Sequence, residues 1–380
     1  MISAIHDMPA TIEPNDFKFK SLSQWALNLY MGCAHGCRFC YVPDTSANKQ
    51  KKLLGSYGVT DPVADWGGYV LVRPWIEAKF MASLRKAEEV PHDQLKADGN
   101  RAVFLCSTTD PYQVIRNSDL EKQKLLNRHA RALVRQSLIA IRDHSTLNVR
   151  ILTRSPLARQ DFDIFKTFGN RLLLGTSLPT LDPVLSRLYE SNVPHPRQRL
   201  KLLTDAHEAG IPTYVAVAPV FPEVGYQGLL EVFEAVKAAE PVTIFMEPVN
   251  LRLGVAERIR GEAAGLGRTI DMNPYTDRIA WAGYAIRALK DAERAAKAAG
   301  VADCLHLWPD HDALGSKAVV GMQPDRAAYL QWLEGWWNRV SEWPGKTAAR
   351  PKTTPLSYLQ PGWSMPRLMN LKSNASDATP

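Results

Sequence analysis

The sequence predicts an α/β fold built on a parallel sheet, in the form of an incomplete (β/α)6 barrel. Short, continuously apolar segments alternate along the chain with segments of helical periodicity, which is the pattern of successive β-α units. Uninterrupted apolar runs are typical of strands that are buried on both faces, as parallel strands between helices are. The chain has 380 residues, of which 45% are apolar, and can therefore enclose a large core.

Six apolar runs are the predicted strands. The first run leads directly into a cysteine-rich loop, and the last one precedes a long helical segment that is rich in alanine. In β/α architectures the functional residues collect at the carboxyl ends of the strands, which is where this loop lies. The predicted strands are 25–30, 102–108, 149–153, 172–177, 213–220 and 242–247. The predicted helices are 75–89, 122–144, one that begins at residue 157, 196–209, 227–239 and 275–299.

Composition divides the chain into four predicted parts. The last 37 residues are rich in proline, serine, threonine and lysine, which is typical of an extended or disordered segment. We expect an irregular lead-in over 1–24, the barrel over 25–250, a helical carboxyl-terminal extension over 251–343 and a flexible basic tail over 344–380.

Three segments of the extension do not follow the β-α pattern. Residues 256–273 are rich in glycine and arginine and are predicted to form an insertion over the barrel mouth. Residues 325–343 are predicted to be a helix whose tryptophans pack in the core, because burial is the usual fate of large aromatic side chains. The alternative for these tryptophans is a base-stacking surface. Residues 306–311 are predicted to be a structural loop rather than a metal site, since no cysteine accompanies the two histidines.

Charge and hydropathy bear on the setting of the protein. No run of about 18 apolar residues occurs, so we expect no transmembrane helix, and the first residues lack the pattern of a secretory signal. Both features favour the cytoplasm. The net charge of +7 is compatible with a nucleic acid partner, although this charge is also common in proteins that have none.

The most specific chemical feature is the motif Cys33-Ala-His-Gly-Cys37-Arg-Phe-Cys40. A four-iron, four-sulfur cubane is usually held by four cysteine thiolates, one on each iron. Three thiolates with this spacing would leave the fourth iron open to a small molecule. The other two cysteines, Cys106 and Cys304, are isolated in the sequence. We therefore predict that Cys33, Cys37 and Cys40 hold a [4Fe-4S] cluster.

Another interpretation of this motif stays open. The three cysteines and His35 could hold a zinc ion, although structural zinc ligands usually come as two separated pairs. The protein would then be a non-catalytic binding module with a structural iron-sulfur or zinc site. A disulfide framework is not expected, because the cysteine count is odd and the chain is long.

The cysteine spacing, with Phe39 before the third cysteine and Tyr41 after it, resembles the radical S-adenosylmethionine (SAM) superfamily. Segments at five predicted strand ends also resemble, in the same order, the spore photoproduct lyase-like branch of that superfamily. The resemblance spans residues 25–248. It implies a barrel of the radical SAM type that uses a [4Fe-4S] cluster, SAM and a reductant such as flavodoxin or ferredoxin. The segments are LNLYMGC (27–33), STTDPYQ (107–113), ILTRSPL (151–157), TSLPTLD (176–182) and APVFP (218–222).

The resemblance also implies which residues contact SAM. Thr109 and Asp110 take the place that holds the SAM ammonium group, while Arg154 and Ser177 take positions that contact its carboxylate and ribose. An aspartate and an arginine suit these charged groups because both form charge-assisted hydrogen bonds. Phe39 is expected either near the adenine or as a shield for the cluster.

Some of these positions have an alternative role. Asp110 could instead close an Asx turn before Pro111, a common local arrangement of aspartate. Glu190 and Arg199 match the family as well, and they either contact SAM or form an ion pair with each other.

Two positions differ from the lyase. Its hydrogen-donor cysteine aligns with Ser107, and Cys106 lies one residue earlier. Cys106 is therefore either a radical-quenching thiol or a packed strand residue, since buried free cysteine is common. Tyr41 matches one of the tyrosines that flank the third cysteine in the lyase, but Phe39 lacks the second hydroxyl. A radical relay could therefore use Tyr41 but not the pair.

The leading functional hypothesis is a radical SAM enzyme with lyase-like chemistry. Such an enzyme cleaves SAM to a 5′-deoxyadenosyl radical, which abstracts hydrogen from a substrate. The resemblance favours a nucleic acid or nucleotide as that substrate. A small molecule or a peptide is the alternative, because a fold does not determine its substrate. We expect the region after residue 250 to determine which substrate the radical attacks, since specificity usually lies in loops on a fixed scaffold.

Overall fold

The computed structural model describes residues 1–15, 23–95, 101–250 and 253–339. Its main element is an eight-stranded sheet with the strand order β11-β10-β9-β8-β7-β6-β3-β2, and a second sheet has the order β1-β5-β4. The strands are β1 (Ile2–Ile5), β2 (Ile12–Pro14), β3 (Trp25–Leu27), β4 (Tyr30–Met31), β5 (Tyr69–Val72), β6 (Ala102–Leu105), β7 (Asn148–Thr153), β8 (Leu172–Ser177), β9 (Thr213–Val220), β10 (Ile244–Pro248) and β11 (Leu305–Leu307).

The main sheet is parallel from β3 through β11, with β2 added antiparallel at one edge. In the described part of the chain its edges are β2 and β11. The predicted α/β fold with an incomplete parallel barrel is confirmed. The six predicted strands are present, and β11 adds a seventh parallel strand by pairing with β10. The predicted division at residue 250 remains a prediction, and β11 shows that the extension contributes a strand to the sheet.

The helices also lie close to their predicted positions, with ends that differ by a few residues. Residue 157 begins a 3-10 turn, Pro156–Asp161, rather than an α-helix. The helices are α1 (Lys51–Ser56), α2 (Glu77–Glu88), α3 (Leu120–His144), α4 (Phe162–Lys166), α5 (Pro183–Tyr189), α6 (Pro196–Glu208), α7 (Gly225–Lys237), α8 (Leu253–Gly265), α9 (Asn273–Thr276), α10 (Arg278–Ala299), α11 (His311–Leu314), α12 (Lys317–Gly321) and α13 (Arg326–Arg339).

The prediction of an irregular lead-in was wrong for two segments. β1 pairs with β5 in parallel, with Ile2 opposite Tyr69, and β2 pairs with β3, with Ile12 opposite Leu27. Both strands are only three or four residues long, so a local alternation pattern hardly exists in them. Such strands are stabilised by the neighbour that they pair with, and this neighbour is distant in sequence.

Two predicted strands end earlier than their apolar runs. The run 25–30 is divided between β3 in the main sheet and β4 in the second sheet. The run 102–108 ends at Leu105, because Cys106 has a φ of 60°, in the left-handed region where a strand cannot continue. The chain therefore turns away from the sheet directly after the second parallel strand.

Side chains alternate between the two faces of the sheet. Ile244 and Met246 of β10 pack in a core cluster with residues of α7 and α10, whereas Phe245 lies in a separate cluster. That cluster contains Tyr214 and Trp308, and the Phe245 and Trp308 rings are 4.4 Å apart. Trp308 therefore packs against the sheet, as expected for a structural segment.

The extension packs against the barrel at several places. The indole N–H groups of Trp332 and Trp336 donate to the two carboxylate oxygens of Glu293 on α10, at 2.8 and 2.7 Å. These tryptophans are thus held against α10, which agrees with the packing interpretation. The predicted insertion over the barrel mouth begins within a helix, α8. The predicted basic tail lies outside the described residues. None of the helices within them has both the length and the apolar character to cross a membrane.

Candidate cluster and cofactor site

The cysteine motif occupies a loop that begins directly after β4. Gly32 opens the loop with a φ of 85°, and a Cβ at this position would lie 2.3 Å from the carbonyl oxygen of Tyr69. Gly36, with a φ of 56°, would place a Cβ 2.9 Å from the Cα of Gly67. Both positions require glycine, because other residues are strained at positive φ and a side chain would collide with backbone. The loop therefore packs tightly against residues 66–69.

The three thiols of the loop are free and sheltered from solvent. Cys33 and Cys37 are buried, and Cys40 is half-buried. Burial raises the pKa of each of the three thiols to about 12. Thiolate is the form that binds metal, so each cysteine must release a proton when a metal binds.

The arrangement of the three cysteines bears on which metal group they suit. Within the described ranges, no group of three or more histidine, cysteine or acidic side chains is placed as it would be around one metal ion. A cubane does not need this close placement, because each thiolate binds a different iron. Three free thiols on one sheltered loop are therefore a suitable donor set for three corners of a [4Fe-4S] cluster.

Asp110 connects the second and third parallel strands at their carboxyl ends. Its Oδ1 accepts hydrogen bonds from the Tyr112 N–H at 2.8 Å and the Thr153 hydroxyl at 2.7 Å, and its Oδ2 accepts from the Arg154 N–H at 2.7 Å. His35 of the cysteine loop approaches the same Oδ2, with Nδ1 at 3.4 Å. The Asx turn that the sequence left open is present. A contact between Asp110 and SAM stays a prediction.

Two polar atoms near this turn are buried without a partner. Gln113 accepts the Ala34 N–H at 2.6 Å through Oε1, which fixes the second strand turn to the cysteine loop. Its Nε2 and the Thr109 hydroxyl have no hydrogen-bond partner among the described residues. Buried polar groups are normally satisfied, so these two atoms suit a bound polar molecule beside the loop.

Glu190 and Arg199 form the ion pair that was one of their two predicted roles. Arg199 Nη2 and Glu190 Oε2 are 2.7 Å apart, and both side chains are fully buried. Arg154 Nε donates to the other oxygen of Glu190 at 2.8 Å. Burial alone would raise the pKa of Glu190, but the two arginines together lower it. A direct contact of Glu190 or Arg199 with SAM stays untested.

Arg154 joins this buried network to the cysteine loop. Its guanidinium carbon lies 5.5 Å from the centre of the Phe39 ring, and Phe39 is 5.5 Å from Phe221. Within the described residues the side-chain hydrogen bonds of Arg154 go through Nε alone, and the side chain is 19% exposed. Its two terminal nitrogens are therefore available to a carboxylate, such as that of SAM. Phe39 as an adenine contact stays a prediction.

The remaining predicted residues lie in less open surroundings. The Ser177 hydroxyl donates to the carbonyl oxygen of Ala218 at 2.8 Å and is buried. Cys106 is 2% exposed in the core beside the barrel helices, where burial raises the pKa of its thiol to about 12. Tyr41 packs in the cluster that contains Cys33, whereas Phe39 packs in a different cluster. The catalytic roles of Cys106 and Tyr41 stay predictions.

Sequence reasoning assigned no SAM-site role to three residues that are part of this region. His35 and Gln113 connect the loop to the second strand turn, and Arg258 contacts the loop from α8. Gln113 belongs to the motif at 107–113, so a polar residue three positions after Asp110 was a usable signal. Arg258 is more than 200 residues from the loop and gave no such signal.

Comparisons with known proteins agree with this architecture. The family model of the radical SAM superfamily matches residues 27–236. The protein ORF301 of Acidianus two-tailed virus is 28% identical over 224 residues, which are 56% of this chain and 64% of that protein. The protein Rv2578c of Mycobacterium tuberculosis is 27% identical over 207 residues, which are 54% of this chain and 52% of that protein. The chain thus spans between half and two-thirds of the length of these relatives.

Among solved structures, the fold is similar to that of spore photoproduct lyase. The lyase complexed with dinucleoside spore photoproduct superposes with a TM-score of 0.54 and 14% identity, over 80% of each chain. A mutant of it with bound AdoMet and the same dinucleoside gives a TM-score of 0.55, also with 14% identity and 80% of each chain. At this level of identity the likeness concerns the fold. Because the family model matches more than half of its residues, the chain belongs to the radical SAM superfamily, whose enzymes use a [4Fe-4S] cluster and SAM.

Proposed function

We propose that this protein cleaves SAM at a [4Fe-4S] cluster held by Cys33, Cys37 and Cys40 and acts on a nucleic acid or nucleotide. The observation that carries the proposal is the position of three free thiols beside the available nitrogens of Arg154, at the carboxyl edge of the parallel sheet. When bound, the cluster supplies the electron that cleaves SAM to a 5′-deoxyadenosyl radical, which abstracts hydrogen from the substrate.

The residues around the loop would bind and orient SAM. Arg154 offers two parallel N–H donors, which match the two oxygens of a carboxylate. Glu190 holds the guanidinium through Nε, so the terminal nitrogens are oriented before SAM binds. Gln113 and Thr109 offer polar atoms that are buried without a partner in the described residues. Asp110 would act mainly by holding the strand ends in place, since its hydrogen bonds already join them.

Two features support a nucleic acid or nucleotide as the substrate. The chain has a net charge of +7, and Arg128 and Arg131 of α3 line an open groove of about 500 Å³. Neither arginine forms an ion pair within the described ranges, so both can contact phosphate. The lyase with the similar fold was solved with a dinucleoside, which makes this substrate class the first to test. A reductant such as flavodoxin or ferredoxin, and a cytoplasmic location, belong to the same proposal.

The experiment is anaerobic reconstitution followed by measurement of 5′-deoxyadenosine with a chemical reductant, with and without duplex and single-stranded DNA. We expect product in all samples and several-fold more of it with the right nucleic acid. A variant with alanine at Cys33, Cys37 and Cys40 is the control for background cleavage. Product that no nucleic acid stimulates would reject the substrate class and leave a small molecule or a peptide. No product from fully reconstituted protein would reject the reaction itself.

A further inference from the structure

Helix α8 contacts the cysteine loop through Arg258. Its Nε donates to the main-chain oxygen of Arg38 at 3.1 Å, and its Nη2 donates to the main-chain oxygen of Cys40. The same guanidinium pairs with both oxygens of Asp44, at 2.9 and 3.3 Å. The Arg258 side chain is only 9% exposed. One side chain of the extension therefore fixes two of the peptide groups around the third cysteine.

Two further contacts place α8 against the same loop. Arg38 forms a second ion pair with α8, because its Nε and Nη2 lie 2.8 and 2.7 Å from an oxygen of Glu262. Gly254, near the start of α8, leaves room for Asp44, since a Cβ there would lie 2.0 Å from the Asp44 Oδ1. Three positions along α8 are thus fitted to the loop, at intervals of four residues that bring them to one face of the helix.

The chemistry of these contacts indicates what they do. The charge of Arg258 is largely offset by Asp44, so a direct electrostatic effect on a bound cluster would be small. The planar fork of the guanidinium, by contrast, sets the directions of several hydrogen bonds at once. Carbonyl oxygens held on both sides of Phe39 leave the Cys40 backbone little freedom to rotate. The direction of the Cys40 thiol is therefore determined from α8.

We propose that Arg258 is a positioning residue for the cluster, which fixes the third cysteine through the main-chain oxygens of Arg38 and Cys40. The carboxyl-terminal extension is then a structural part of the cluster site rather than only a determinant of the substrate. The role in cluster binding rests on the proposed function, whereas the restraint of the loop does not. Two kinds of experiment therefore separate the two statements.

The first experiment uses the metal-free full chain and measures backbone hydrogen exchange of peptides that cover residues 38–44. Arg258→Lys keeps the charge but loses the fork, and Arg258→Gln loses both. We expect exchange about tenfold faster in both variants, which corresponds to the loss of charge-assisted hydrogen bonds. Arg159→Gln is the matched control, because it removes an arginine that pairs with Asp205 of α6 and not with the loop. Unchanged exchange in both Arg258 variants would overturn the restraint.

The second experiment uses the reconstituted protein and has two readouts that do not depend on turnover. We expect an iron chelator to remove the cluster about tenfold faster from both Arg258 variants than from the wild type. We also expect a changed electron paramagnetic resonance spectrum of the reduced cluster, which a general loss of stability would not produce. Wild-type behaviour of Arg258→Lys would show that charge alone is needed, and would overturn the positioning role.

A second variant keeps the proposal testable if the Arg258 variants fail to fold. Gly254→Ala retains every charge but displaces the Asp44 carboxylate that holds Arg258. We expect it to change loop exchange and chelator sensitivity in the same direction as Arg258→Gln, by a smaller factor. Wild-type values for both readouts would contradict the proposal. If the wild-type protein binds no cluster, the proposed function fails, and the exchange measurement alone still tests the restraint.

Discussion

The carboxylate of Asp110 accepts the main-chain N–H of Arg154 at 2.7 Å, although the two residues are 44 positions apart in the sequence. This bond, together with the one from Thr153, fixes the turn after β6 to the end of β7. Arg154 in turn carries the guanidinium that faces Phe39 on the cysteine loop. The position of this guanidinium thus depends on a buried aspartate that lies on another strand.

Replacing Asp110 by asparagine should therefore destabilise the protein. Asparagine has one acceptor oxygen, and its amide would face the Arg154 N–H, so that one buried donor would lose its partner. We expect the free energy of unfolding to fall by about 1–3 kcal/mol in a urea titration of the apoprotein. The control is Asp182→Asn at the amino terminus of α5, where asparagine caps as well as aspartate and stability should hardly change. Equal stability of Asp110→Asn and the wild type would contradict the role as a connector.

Arg154→Lys should weaken SAM binding without loss of the cluster. Lysine keeps a charge near Glu190 but cannot offer two parallel donors to a carboxylate. We expect the dissociation constant for SAM to rise about tenfold or more, as the loss of one charge-assisted bond predicts. Equilibrium binding to the reconstituted protein measures it, with iron content determined on the same samples. An unchanged dissociation constant would remove Arg154 from the SAM site.

Glu190→Gln should be strongly destabilising, because it leaves the fully buried Arg199 without its carboxylate partner. Breaking such a buried pair costs about 3–5 kcal/mol. Chemical denaturation of the variant at neutral pH measures this loss. A change below about 1 kcal/mol would mean that the two arginines do not depend on the charge of Glu190.

The same residue predicts a pH dependence of stability. The pKa of Glu190 is lowered in the folded protein below its ordinary value of 4.5, so its ionised form stabilises the fold. This contribution is complete above the unfolded pKa and is lost as the pH falls through the folded pKa. We expect wild-type stability to decrease below about pH 4.5 more steeply than that of Glu190→Gln. Parallel slopes for the two proteins would assign acid unfolding to other groups.

If nucleic acid is the substrate, its binding should weaken steeply with salt, because phosphate contacts release counterions. Arg128→Gln combined with Arg131→Gln should reduce the slope of log K against log salt by about 2, roughly 0.9 for each phosphate contact. Removal of residues 344–380 should reduce the slope further. Arg171→Gln, at a residue engaged with main-chain oxygens, is the control. A flat salt response of the wild type would reject this class of substrate.

The sequence predicted those features that depend on local pattern. The cysteine spacing, the apolar strands and the helices are each encoded within a short stretch of chain, and the fold class followed from their alternation. The polar residues 109, 110, 154 and 177 could be placed at strand ends because parallel strands bring their carboxyl ends to one edge. The family resemblance added their roles, which local pattern alone does not give.

The contacts that hold the site together could not be predicted in this way. Gln113 meets Ala34 across 79 positions and Arg258 meets Cys40 across 218, and no periodicity connects such pairs. Whether a polar residue faces a ligand or holds the backbone depends on its partners, which only the fold reveals. Asp110 and Glu190 are examples, since their oxygens are already engaged within the protein.

The most direct test is the iron, sulfide and 5′-deoxyadenosine content of anaerobically reconstituted protein, compared with variants that carry alanine at Cys33, Cys37 or Cys40. We expect about four irons and four sulfides per wild-type chain, as a [4Fe-4S] cluster requires, and cleavage of SAM under reducing conditions. Each alanine variant should lose the SAM cleavage, and the triple variant should also lose the iron. Full iron content in the triple variant, or a wild-type chain that binds a single zinc ion and no iron, would contradict the cluster assignment.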